Sequence, residues 1–281
     1  MSRRNNPERF GAPQADAPVS PATEGTDLFA FVNPTEFVEL PSAGRFYPET
    51  HPLHGATTIE IKHMTAKEED ILTSEALLRN ELAIDRLLGS VIINKKVRVD
   101  DLLLGDKNAI LIASRITGFG PHYDVGTTCP SCMKQSDYSF DLSELGPKNT
   151  GEPPEGVNHE GEGVFSFDLP TAKVKLYIKL LTSRDEKMLA KRLTAGGKDS
   201  STTPITDLLK SFVVGANEHR DPKMLNKFLE AIPVSDVSHI KKVYDSIKPD
   251  VDLNFDFTCP LCSHEGKVVM PMSARFFWPN T

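Results

Sequence analysis

No apolar run in this sequence approaches the about 18–20 residues that a helix needs to cross a bilayer, so no membrane span is expected. Basic residues are in deficit. The 32 Lys and Arg stand against 39 Asp and Glu, a formal charge of −7, so the average surface repels phosphate and a nucleic-acid role would need a local basic patch. Motifs that carry chemistry are missing as well. There is no Gly-x-Ser-x-Gly, no His-Glu-x-x-His and no dinucleotide fingerprint after a strand. The stretch AGGKDSST at 195–202 looks like a phosphate loop only superficially, because Asp199 follows Lys198 where Ser or Thr is required. His63, His122 and His239 are scattered without a partner motif, which favours packing or surface roles over catalysis. The run Glu68, Glu69, Asp70 suits the first turn of a helix, where acidic side chains complement the dipole. We therefore assign no catalytic residue and no small-molecule cofactor site, and expect a protein that is not an enzyme. The first residues have a basic start but no apolar stretch behind it, so they do not read as a secretory leader, and residence in a cytosol is expected.

Cysteine is also scarce, and its placement is informative. All four occur in two near-copies, TTCPSC at 127–132 and FTCPLC at 257–262. Each pair lies between segments of alternating pattern, HYDVG and DYSFDL around the first, DLNFDF and GKVVMPM around the second, so each reads as the tip of a hairpin. A Cys-Pro-x-Cys tip points two sulfurs the same way, and two such tips supply the four thiolates of a structural zinc site. The expected ligands are Cys129, Cys132, Cys259 and Cys262, holding one zinc per chain. Two local disulfides, four free thiols or a thioredoxin-like pair are the alternatives. A local disulfide closes too short a loop to stabilise much and would be reduced in a cytosol, and neither pair precedes a helix pattern that would activate a thiol. Two features depart from the usual knuckle: Met133 and Ser263 stand where Gly commonly admits a left-handed turn, and His264 is close enough to replace a sulfur.

One ion held by both pairs would force the chain back on itself, and the rest of the organisation is read around that closure. Residues 1–35, rich in Pro, Ala, Ser and Thr, read as an extended or disordered arm, with Phe29, Phe31 and Phe37 as anchors near its end. Residues 36–145 form an N-terminal α+β domain ending in the first knuckle. It holds a loop over FVELPSAGRFYPETHPLHG, a strand in TTIEIKHM and a helix over about 66–74 opened by a Thr65–Glu68 capping box. A second helix is expected in ELAIDRLLGSVI, and a third capped by Asp106 and stopping at Gly118. Residues 146–250 comprise a solvated connection to about 163, strands in VFSFDLP and KVKLYIKLL, and helices over about 184–193 (Ser183–Glu186 capping box), 204–216, 222–231 and 234–247. Residues 251–281 carry the second knuckle and an aromatic tail, Phe276, Phe277 and Trp278. The fold class is α+β: a mostly helical N-terminal domain and a helical insertion, closed by a zinc ribbon.

The segments FVELPSAGRFYP, EIKHMTAKEEDIL, LLLGDKNAILIASRITGFGPHY, TTCPSC, FTCPLC and MPMSARFFWP resemble the baseplate hub subunit family of T-even-like, contractile-tail bacteriophages. The likeness covers about Phe37 to Cys132 and the last 30 or so residues, and leaves 146–250 unmatched. It implies a non-catalytic structural or assembly component of the baseplate hub, with other baseplate and tail proteins as partners in several copies. It also implies residence in the virion tail, with the host cytoplasm as the place of assembly. A tail assembly chaperone absent from the virion is the near alternative. A zinc-ribbon module that binds nucleic acid is the rival from another class. That module needs a basic ribbon surface, whereas the knuckles are surrounded by Asp124, Asp137, Asp256 and Glu265 against Lys134 and Lys267.

Overall fold

The computed structural model describes residues 34–74, 82–148, 153–195, 204–270 and 274–277, all within the unit Pro34–Thr281. Phe29, Phe31, Trp278 and 196–203, most of the AGGKDSST stretch, lie outside the described residues. The alternating Ile59 and Ile61 bury one face of strand β2 (Thr58–Lys62), which pairs antiparallel with β1 (Thr35–Glu39), Thr35 facing Lys62 and Glu39 facing Thr58. β1 falls on residues read as the end of the arm and the start of a loop. Its pattern hides it, because only Val38 turns inward while the bulky Phe37 stays 69% exposed.

Helix α1 (Ala66–Thr73) opens with the expected capping box, the Glu68 carboxylate accepting the Thr65 N–H at 3.0 Å. Glu68 does more than complement the dipole. It is fully buried and also accepts Lys62 Nζ at 2.7 Å and Ser90 Oγ at 2.5 Å, joining β2, α1 and α2 (Ala83–Val91). Burial acts to raise its pKa, but the hydrogen bonds from Lys62, Ser90 and Thr65 outweigh it and hold the carboxyl down at about 2.

Helix α3 (Leu104–Phe119) differs from expectation at both ends. Leu103 is its cap, and the helix runs past Gly118 to stop at Gly120, whose φ of 85° suits a residue without a Cβ. Asp106 is therefore not the cap; it sits in the first turn and faces inward, fully buried. Its carboxylate accepts the Ser42 N–H (3.0 Å), the Ser42 hydroxyl (2.6 Å) and the Tyr47 hydroxyl (2.7 Å), and Tyr47 in turn accepts the Leu103 N–H. A buried acceptor with three donors pins the 40–57 loop to the helix. Burial raises the Asp106 pKa, opposed by those donors.

A four-stranded antiparallel sheet follows, in the order β5 (Asn158–Gly161), β6 (Val164–Asp168), β7 (Lys175–Lys179), β8 (Val213–Ala216). β5 lies in the stretch read as a solvated connection. β8 takes the last four residues of the helix expected over 204–216, so α5 is only Pro204–Phe212. Branched Val213 and Val214 followed by Gly215 favour a pleated edge over another helical turn. Helix α4 (Ser183–Ala195) is capped one residue earlier than expected: Asp185 accepts the Thr182 N–H and hydroxyl. Glu186 instead reaches across to Lys107 at 2.5 Å. Helices α6 (Pro222–Ala231), with Pro222 in its first turn and Asp221 as cap, and α7 (Val234–Ile247) match the sequence reading.

The 146–250 segment packs directly on the N-terminal helices. Leu104 N–H donates to the Leu181 carbonyl, Ser183 N–H donates to the Leu102 carbonyl, and Lys187 bridges Asp85 and Asp100. Ile110, Leu102, Phe165, Ile178, Phe212 and Ile240, all but inaccessible to solvent, belong to one hydrophobic core.

Candidate metal centre

Strands β3 (His122–Thr128) and β4 (Gln135–Asp141) pair over seven residues as a hairpin, and β9 (Asn254–Thr258) and β10 (Glu265–Val269) pair over five. The two tips repeat each other bond for bond. In the first, Met133 N–H donates to the Cys129 carbonyl and Cys129 N–H to that of Lys134; in the second, Ser263 N–H donates to the Cys259 carbonyl and Cys259 N–H to that of His264, all at 2.9 Å. Met133 and Ser263 take φ of 57° and 56°. The left-handed turn of a knuckle is thus formed without Gly, at the steric cost a Cβ carries there.

The tips meet. Cys129 Sγ lies 3.7 Å from Cys262 Sγ and Cys132 Sγ lies 3.9 Å from Cys259 Sγ, and all four sulfurs lie within 4.8 Å of one another. Four sulfurs at about 2.3 Å from a common tetrahedral ion would be about 3.8 Å apart, so the spacing suits a metal ion and is far too wide for a bonded pair at about 2.05 Å. All four cysteines are free. Cys129 and Cys259 are buried, Cys132 is half-buried and Cys262 is exposed, which gives the cluster an inner and an outer side. His264 stays outside the cluster.

The thiols do not ionise independently. At Cys129 the Cys132 N–H pulls downward, burial opposes it, and the Ser131 N–H and neighbouring thiols bring the group to about 6. At Cys262 the His264 N–H also pulls downward, but burial and the sulfurs of Cys259, Cys132 and Cys129 push it up to about 12. One thiolate forms easily and makes the next unfavourable, so four thiolates need a compensating cation.

Packing behind the tips holds the hairpins in register. Tyr138 and Phe140 of β4 lie on Phe257 and Phe255 of β9, with centroids 5.2 and 4.8 Å apart, and the Tyr138 hydroxyl donates to the Asp256 carbonyl at 2.9 Å. Arg115 near the end of α3 is buried. Its guanidinium donates to the carbonyls of Phe276 (2.8 Å), Gly120 (2.8 Å) and His122 (3.1 Å), tying the 3-10 turn Ala274–Phe277 to the root of the first hairpin. Phe276 and Phe277 of the aromatic tail are 2% and 3% accessible, so they pack on the chain's own core, and Phe276 meets Tyr123 edge-on. Sequence reasoning missed Arg115 altogether. Its only signal is a cation among the apolar residues of α3, and its partner is 161 positions away.

A family model described as "T4 bacteriophage base plate protein" matches residues 34–278, a span that includes the 146–250 stretch and begins where the compact unit begins. No curated protein and no solved structure matches the chain.

Proposed function

Because this chain belongs to the T4 bacteriophage base plate protein family, we propose that it is a non-catalytic component of the central hub of the baseplate, with one structural zinc held by Cys129, Cys132, Cys259 and Cys262. The family carries the baseplate assignment, and the four-sulfur cluster carries the zinc. When bound, the ion would supply the positive charge that lets all four thiols ionise, and four thiolates would leave no position for a water or a substrate. The residues themselves set the rest. Ser131 and Cys132 N–H groups support the Cys129 thiolate, and the His264 N–H supports Cys262. The aromatic stack of Tyr138, Phe140, Phe255 and Phe257 aligns the hairpins so that the sulfurs converge. Binding free energy at such a site is folding free energy, which suits a part that must hold its shape among several tail proteins.

Mass spectrometry of purified tails tests the location: the chain is expected there in stoichiometric amount with other baseplate proteins. Absence from tails, combined with hubs that fail to assemble without it, would make it an assembly chaperone instead. Metal analysis of the purified protein is expected to give about one zinc per chain. Absence of metal together with two disulfides would remove the staple. Retention on heparin at low salt would revive the nucleic-acid reading.

A further inference from the structure

A groove of about 330 Å³ runs between helix α4, strand β8 and helix α6, and no cysteine lines it. Its floor is apolar, with Val213, Leu225 and Leu229 buried beneath it and Met188 of α4 48% exposed at its wall. Its charge is out of keeping with a chain of net −7: four cations line it, Lys179, Arg192, Lys210 and Arg220, against one acidic residue, Asp185. Lys179 is paired with Asp185 and Lys210 with Glu230, each at 2.7 Å. Among the described residues Arg192 and Arg220 have no carboxylate within ion-pair distance, and both are exposed.

Arg220 is also built into place. Its guanidinium lies 4.0 Å from the centroid of the Tyr177 ring and donates to the carbonyls of Asn217 (2.7 Å) and His219 (3.0 Å). It rests on Gly215 of β8, where a Cβ would come within 2.4 Å of its Nη1. A strand position without a side chain is thus what gives the guanidinium its seat. Asp221 beside it is occupied in capping α6 through the Met224 N–H at 3.0 Å. An arginine fixed in advance loses little entropy on meeting a carboxylate.

We propose that this groove binds an acidic peptide segment with interspersed apolar side chains, its carboxylates on Arg192 and Arg220 and its apolar groups on the Val213, Leu225 and Leu229 floor. That the segment belongs to a neighbouring tail protein rests on the baseplate reading; the binding itself does not.

Fluorescence anisotropy of the full chain with a short labelled peptide alternating leucine and glutamate tests it, with the leucine–glutamine peptide as control. The glutamate peptide is expected to bind and the glutamine peptide to bind at least about tenfold more weakly. Arg192→Gln and Arg220→Gln should each weaken binding about tenfold, the first without changing the melting temperature and the second with only a small fall, since it also removes the Tyr177 stack and two carbonyl bonds. Gly215→Ala should weaken it too, although both arginines remain, because the new methyl would displace the Arg220 guanidinium from its seat. Equal binding of both peptides, no binding, or full binding by the double arginine variant would overturn the proposal. Displacement of the peptide by millimolar inorganic phosphate would overturn it in favour of a small-anion site. Binding that persists in a protein found absent from tails would leave the groove standing and remove only the tail partner.

Discussion

The paired hairpins and the four-stranded sheet solve the same problem by opposite means. The sheet buries Phe165, Phe167, Leu176 and Ile178 in the common core, so its order follows from apolar area removed from water. The hairpins are two-stranded, with exposed residues on every strand, and such ribbons are marginal alone. Their roots share the core through Tyr123, Phe140, Phe255 and Phe257, but their tips have only sulfur to hold them together. The hairpins should therefore be the part of the molecule whose order depends on a metal, and the sheet the part that is indifferent to it.

The strongest way to break the comparison is at a sulfur. Cys259→Ser should abolish metal retention and lower stability by about 4 kcal/mol or more, with amide exchange rising in 122–141 and 254–269 but not in 164–179. Uniform exchange across both regions would show that the sheet leans on the hairpins after all. Phe165→Ala is the converse. It should cost about 3–5 kcal/mol in denaturant unfolding while leaving metal stoichiometry at the wild-type value. A smaller effect comes from pH. Because the folded pKa of Glu68 lies at about 2, below its ordinary 4.5, its stabilisation is complete above about pH 4.5 and is lost as pH falls toward 2. After allowance for solvent screening, Glu68→Gln should remove about 1–2 kcal/mol at neutral pH and flatten the stability curve between pH 4.5 and 2. An unchanged slope would assign acid unfolding to other carboxylates. Smallest is Tyr138→Phe, which removes one hydrogen bond between the hairpins and keeps the ring, at a cost of about 1 kcal/mol. A shift confined to the β3–β4 and β9–β10 strands by NMR would sharpen the contrast, and one spread through α4–α7 would blur it.

What could be read in the sequence were features whose causes are local. The repeated Cys-Pro-x-Cys, the Thr65–Glu68 spacing, Pro222 at a helix start and the end of α7 at Ile247, two residues before Pro249, each carry their explanation within a few residues. The failures share a different cause. Asp106 has the chemistry of a cap, yet its carboxylate is claimed by Ser42 and Tyr47 some 60 positions earlier. β8 reads as helix because its partner, β7, lies beyond two helices. The sequence leaves open whether Phe276 meets a partner or its own core, because the Arg115 and Tyr123 that hold it are more than 150 positions earlier. The sulfur cluster itself sits between these cases, since each half is local while their meeting is not.

The same long reach governs the order in which the molecule can be finished as it leaves the ribosome. Helix α3 emerges with Arg115 lacking its Phe276 carbonyl, and the first knuckle emerges with two sulfurs and no counterpart, until well over a hundred further residues have been made. Closure thus waits for a segment translated long after the first knuckle. A message cut short between the two knuckles would yield a chain with two of the four sulfurs and no carbonyl of Phe276 for Arg115.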